Sequence, residues 1–271
     1  MSWRSCVRQV SSWLHSSAIV LALLIASVAS LESLTACTSS SAQHLVAQTV
    51  PLVTQGTSIN LPEEVGLKTS DGWTIVGDLY LTSGPAHGAI VLLHQRGGVA
   101  ADWQLLARAF QQSGFIALAI EQRGSGRSTQ GPGPTGDDAP WQTGGDIAAA
   151  VASLPKPLPV GLVGASYGAN NALIYAASHP ARVKALALFS PGANYNGLDA
   201  LAAARSYRGA LVIYHSRDDA IAGSGPEQIN ALSPSQNHKL LLFNGTAHGT
   251  GLLEPEVIRN AVNFFQSSLK N

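Results

Sequence analysis

Short apolar runs recur along the chain: Ala89 to Leu93, Phe115 to Ile120, Leu158 to Val163, Val183 to Phe189, Ala210 to His215 and Lys239 to Phe243. Near-continuous runs of this length predict strands buried on both faces, the mark of a parallel sheet. Helical spacing falls between them. Trp103 to Gln112 places Leu105, Leu106, Ala109 and Phe110 on one side and closes at Gly114. Asp146 to Leu154 reads as a helix with Asp146 as its cap, and Ala169 to Ser178 as another. A last helix runs near Glu254 to Ser268, with Pro255 in its first turn. Ahead of these, Val65 to Thr69 and Trp73 to Leu81 flank Asp71-Gly72 and predict a hairpin. Residues 124 to 145, crowded with Gly, Pro, Ser and Thr, predict a long loop.

This order implies an α/β fold: a doubly wound, mostly parallel sheet with helices on both faces and an antiparallel N-terminal hairpin at one edge. Between the strand ending at Phe189 and the strand starting at Ala210 there is room only for a short helix, around Leu198 to Ser206. No lid domain is therefore expected. No internal repeat is evident.

Composition sharpens the picture. The 271 residues are 45% hydrophobic, enough for one sizeable core. Lys+Arg and Asp+Glu both number 16, so there is no basic surface to suggest nucleic acid and no acidic tail to suggest a cationic partner. The amino terminus departs from the rest: Arg4 and Arg8 precede an apolar stretch from Ala18 to Leu31. It ends at Leu34-Thr35-Ala36-Cys37, which resembles the lipobox of bacterial lipoprotein signal peptides, although Glu32 interrupts the apolar region. The resemblance implies a signal peptide over 1–36 and acylation of Cys37, exported and anchored to the cell membrane or outer membrane. An uncut transmembrane anchor and a plain signal peptide are the alternatives. The chain has two cysteines, Cys6 and Cys37, and Cys6 would leave with the signal, so no intramolecular disulfide is expected. Residues 37–61 then form the lipidated cysteine and a flexible tether, and 62–271 the folded domain.

The chemistry centres on Gly164-Ala165-Ser166-Tyr167-Gly168, which follows an apolar strand and precedes a helix. A serine on so sharp a strand-to-helix turn is a nucleophile elbow. Its hydroxyl is thrust outward, and side chains two residues before and after it would collide. An activated serine needs a histidine base and a carboxylate to orient it. Ser216-Arg217-Asp218-Asp219 follows the run ending at His215, and Asn244-Gly245-Thr246-Ala247-His248-Gly249 follows the run ending at Phe243.

With these segments in this order, the chain resembles the α/β-hydrolase superfamily, near its dienelactone-hydrolase-like and carboxylesterase-like branches, over residues 65 to 268. The family's H-G-x-x-G oxyanion loop corresponds to His94-Gln95-Arg96-Gly97-Gly98, and its D-x-R-G-x-G-x-S segment to Glu121 through Ser128. Gln95 stands in place of the usual glycine, Glu121 in place of an aspartate, and Ser216 in place of the glycine of G-x-x-D. That last spacing favours Asp219 over Asp218 as the acid. The resemblance implies a cofactor-free serine hydrolase acting on a small-molecule ester, with Ser166, Asp219 and His248 as its triad. Backbone N–H groups of Tyr167 and Arg96, or Gln95, would form the oxyanion hole. A peptidase or amidase with the same triad, or a catalytically silent lipid-anchored binding protein, are the competing readings.

Other polar residues carry blander expectations. His94 and His215 end strands and are expected to hydrogen-bond loop backbone. His87, His179 and His238 are expected at the surface or in loops. Arg123 and Arg127 are expected to pin loops through ion pairs. Asp137-Asp138 offers too few oxygens for calcium, and no histidine–cysteine cluster suggests zinc.

Overall fold

The computed structural model describes residues 61–269. The expectations placed on 1–36, on Cys37 and on the tether up to residue 60 lie outside the described residues.

Eight strands form one sheet: β1 (Glu63–Lys68), β2 (Thr74–Tyr80), β3 (Gly88–Leu93), β4 (Phe115–Ile120), β5 (Val160–Ala165), β6 (Val183–Phe189), β9 (Ala210–Ser216) and β10 (His238–Phe243). Their spatial order is β1-β2-β4-β3-β5-β6-β9-β10, and β7 (Asn194–Tyr195) pairs separately with β8 (Leu198–Asp199). β1 pairs antiparallel with β2, and β2 antiparallel with β4, while every other pairing in the large sheet is parallel. The hairpin thus lies at the sheet's N-terminal edge, as the sequence predicts.

Every residue of β3, β4 and β5 is buried. The side-chain period of two explains why these runs do not alternate with polar residues: successive residues face two different helical layers. Val91, Leu118, Leu162, Leu188 and Ile213 share one core with Ile147, Ala172, Leu173 and Ile229. Those partners come from α2 (Gly144–Ser153), α3 (Tyr167–Ser178) and α5 (Gly225–Leu232). The intervening strand residues Leu92, Ala119, Val163, Phe189 and Val212 share the other core with Leu106, Phe110, Ala261 and Phe265. Those come from α1 (Gln104–Gln112) and α6 (Pro255–Ser268).

Two local expectations are corrected, and one helix is added. The buried stripe of the α1 region is Trp103, Leu106, Ala107 and Phe110, and Leu105 is 65% exposed. A spacing of three, four and seven from Trp103 keeps that stripe on one side, which turns Leu105 to solvent. Asp146 does not cap α2: Thr143 holds the cap position, and Asp146 is fully buried in the first turn. Its carboxylate accepts instead from the Arg123 N–H and Nε, both at 2.8 Å. The segment after Asp219 contains α5, which the apolar pattern does not predict. Between β6 and β9 lie only the β7–β8 pair and the short α4 (Ala200–Ala204), so there is no lid domain.

Candidate active site

The chain turns sharply at Ser166, with φ 53° and ψ −123°, between the end of β5 and the start of α3. A non-glycine residue held there costs of order 1–3 kcal/mol and persists only where its surroundings over-determine it. They do. The Ser166 N–H donates to Phe189 O at 2.8 Å, and the Ser166 carbonyl accepts from Ala169 and Asn170 at 2.9 and 3.1 Å. The flanking glycines are required by space: a Cβ on Gly164 would lie 2.5 Å from Gly168 O, and one on Gly168 would lie 2.5 Å from His94 O. Tyr167, first residue of α3, has by helix geometry no intrahelical acceptor for its N–H.

Ser166 opens into a cavity of ≈ 290 Å³ lined by Gln95, Arg96, Trp141, Ser166, Tyr195, Ile221 and His248. His248, in the loop after β10, turns Nδ1 to Asp219, 2.8 Å from Oδ2 and 3.0 Å from Oδ1. Because an ionised carboxylate only accepts, Nδ1 carries the proton and Nε2 is left with a lone pair. The rival acid is displaced from this arrangement. Asp218 is exposed, and its N–H donates to Gly245 O at 3.1 Å.

Burial would raise the Asp219 pKa, but hydrogen bonds from His248, Ser190 and the Ala222 N–H outweigh it and hold the carboxyl below its ordinary value. The acid is therefore charged at working pH. Ser190 is a residue that sequence reasoning missed. At φ 49°, directly after β6, its hydroxyl accepts from the Gly249 N–H at 3.1 Å and also reaches Asp219. It ties the acid loop to the histidine loop, and nothing in its sequence surroundings signals this.

The His94–Gly98 segment folds as a tight turn, with the Gly98 N–H donating to Gln95 O at 2.9 Å. His94 is fully buried and staples this turn to the next loop. Its Nε2 accepts from the Gln122 N–H at 3.0 Å, so its Nδ1–H donates to Gln95 O at 2.8 Å. Burial lowers its pKa, consistent with a neutral ring. Gln95 Oε1 accepts from the Thr250 N–H at 2.9 Å, bridging to the histidine loop. The Arg96 guanidinium donates to the carbonyls of Asp137 and Ala139 and lies 4.8 Å from the Trp141 ring centroid and 5.8 Å from that of Tyr167. Arg96 thus holds loop 136–141 over the cavity with its side chain.

His94 therefore plays the supporting role expected of it, while His215 does not. Its Nδ1 has no hydrogen-bond partner among the described residues and lies 3.9 Å from Asp219 Oδ2. Arg123 and Arg127 pin loops as expected. Arg123 pairs with Asp71 at 2.6 Å and Asp146 at 2.7 Å, and Arg127 with Glu64, Asp78 and Glu121 at 2.8–3.1 Å.

A serine on this turn after β5, with an acid after β9 and a histidine after β10 of a mostly parallel eight-stranded sheet, decides the fold. The chain has the α/β-hydrolase fold. A family model described as alpha/beta hydrolase fold matches residues 88–210. Solved structures agree. A cold-adapted esterase from an Arctic intertidal metagenomic library superposes with TM-score 0.64 at 21% identity, covering 77% of this chain and 94% of its own. Dienelactone hydrolase from Anabaena variabilis gives 0.62 at 19%, over 78% and 100%. An esterase of Pyrococcus furiosus gives 0.64 at 16%, over 77% and 93%. By sequence alone, no curated protein matches the chain. Within this α/β-hydrolase fold, the elbow, acid and histidine all stand at the carboxyl ends of the parallel strands, where such sheets place their sites.

Proposed function

We propose that the protein is a serine hydrolase that cleaves carboxylic esters through an acyl-enzyme. The observation that carries this reading is the Asp219–His248 pair at 2.8 Å beside a serine held at φ 53°, with histidine and serine opening on one cavity. His248 Nε2 takes the Ser166 proton as Oγ attacks the ester carbonyl, and Asp219 holds the imidazole in the tautomer that can do so. Hydrogen bonds of this kind are often long in an unliganded site and tighten when substrate binds. The Tyr167 and Arg96 N–H groups, with Gln95 beside them, receive the oxyanion. Each such donor is worth on the order of 10²–10³-fold in rate. The proton on His248 passes to the departing alcohol, and water activated by the same ring then releases the acid.

A cavity of ≈ 290 Å³ lies at the lower end of the usual ligand-site range of ~300–1,000 Å³. Together with the missing lid, it favours short or extended soluble esters over long acyl chains. Activity that rises steadily from acetyl to palmitoyl esters would contradict this. Several structural neighbours are esterases, which favours esters over amides; relative rates on matched ester and amide pairs decide between them.

The direct test is a fluorophosphonate probe applied to the full chain, with mapping of the labelled peptide. Label on Ser166, lost in Ser166→Ala, supports the reading. An unlabelled, folded protein would overturn it and leave a silent binding protein. For location, we propose that a lipid on Cys37 anchors the protein to a membrane. Mass spectrometry of the membrane fraction checks it, an unmodified Cys37 being the adverse result.

A further inference from the structure

Tyr195 lies on the short β7 strand after β6, in the stretch where a lid would otherwise be inserted. It is half-buried at the wall of the cavity that Ser166 also lines. The backbone acceptors of its hydroxyl are poor: Ser190 O and Ile221 O each stand 3.4 Å away. At that length a hydroxyl–carbonyl bond is weak, so the proton of Tyr195 is not committed to backbone. The ring itself packs over Gly192. The hydroxyl is therefore a positioned donor without a strong structural duty.

The sheet order says which part of the substrate it meets. Beside β5, which carries Ser166, β3 lies on one side and β6 on the other. The proposed oxyanion donor Arg96 follows β3. Tyr195, Asp219 and His248 follow β6, β9 and β10, all on the opposite side. A carbonyl oxygen directed to the β3 side leaves the ester oxygen toward the β6–β10 side, where His248 must deliver its proton. Tyr195 stands on that side, in the wall of the cavity that Ser166 lines.

We propose, resting on the ester-hydrolase reading above, that Tyr195 is a catalytic residue whose hydroxyl donates a hydrogen bond to the leaving-group oxygen of the ester. In acylation the Oγ–C bond forms, the C–O bond to the alcohol breaks, and the serine proton moves through His248 to the departing oxygen. Tyr195 keeps its own proton throughout and stabilises the charge that builds on that oxygen as the bond lengthens. Burial first, and the charge of Asp219, push the Tyr195 hydroxyl up to about 12. It thus remains a donor across the whole neutral range.

The test compares wild type and Tyr195→Phe in kcat/KM on acetate esters whose alcohols run from p-nitrophenol to ethanol. A good leaving group needs little help and a poor one much. The expected result is a loss of about tenfold or more on ethyl acetate but only about threefold or less on p-nitrophenyl acetate. Fluorophosphonate labelling of Ser166 should persist in the variant, because fluoride leaves unaided. Equal losses on both esters, or none, overturn the proposal while the hydrolase reading stands. Loss of labelling in a folded variant also overturns it, since Tyr195 would then act by orienting Ser166. A wild type that neither labels nor hydrolyses any ester removes both readings.

Discussion

Gln95 occupies the space that a side chain at position 249 would need: a Cβ on Gly249 would lie 1.9 Å from Gln95 Oε1. That oxygen also accepts from the Thr250 N–H at 2.9 Å. Gln95 therefore joins the turn after β3 to the loop that presents His248. Gly249 itself sits at φ +55°, which adds a backbone penalty to any replacement.

Gly249→Ala is expected to destabilise the fold by about 1–3 kcal/mol through overpacking and the left-handed backbone. Gln95→Gly opens the space but leaves the Thr250 N–H without its acceptor. The double variant should recover part of the loss, with a coupling of about 0.5–3 kcal/mol in a denaturant double-mutant cycle. Strict additivity would mean that the two loops are not joined through this contact.

The two adjacent acids should separate cleanly in kinetics. Asp219→Asn is expected to lower kcat by about 10⁴-fold, because the histidine loses the partner that sets its tautomer. Asp218→Asn, changed on an exposed side chain, should stay within a few-fold of wild type. Steady-state rates on one good ester suffice, and comparable losses at both positions would refute the assignment of Asp219.

Acid stability should depend on His94. Its folded pKa is lowered by burial, and protonation would break the bond that Nε2 accepts from the Gln122 N–H. The unfolded chain binds a proton near about pH 6.5 while the folded chain resists it, so stability present above that pH is lost as pH falls. Unfolding free energies between pH 5 and 8 should slope upward with pH, and His94→Gln should flatten that slope while lowering stability overall. An unchanged slope in the variant would show that His94 is not the group responsible.

Arg123 and Asp146 form a buried ion pair, with the aspartate side chain fully inaccessible. Burial raises the Asp146 pKa despite the hydrogen bonds that Arg123 provides, so the buried carboxylate depends on that guanidinium for compensation. Arg123→Met is expected to cost about 3–5 kcal/mol, since it leaves a buried carboxylate unpaired. Adding Asp146→Leu should restore much of that stability in chemical unfolding. Failure of the second change to restore any would show that the pair stabilises through packing rather than charge compensation.

Most of the sheet was legible because its strands are short, apolar throughout and separated by helical spacing. The elbow was legible because the flanking glycines answer to backbone collisions that any chain would meet. Helix α5 is not legible because Gly225–Leu232 opens on Gly-Pro and is short, so its period is faint beside the loop residues around it. The side of Leu105 is not legible because two adjacent leucines fit either of two neighbouring helical stripes, and only packing against the sheet selects one.

For the site, the sequence by itself determined the identity and order of Ser166, the acid pair and His248, since each follows a recognisable strand. Tertiary structure decided what order along a chain does not encode. It turned the Asp219 carboxylate to His248 and left the Asp218 side chain exposed. It recruited Ser190, Tyr195 and Trp141, which carry no local signal because their partners are remote in sequence. It also gave Gln95 a purpose, through an oxygen that meets Thr250 across 155 positions of chain. Local sequence sets backbone conformation through sterics and periodicity, whereas such contacts exist only once the sheet has brought its strand ends together.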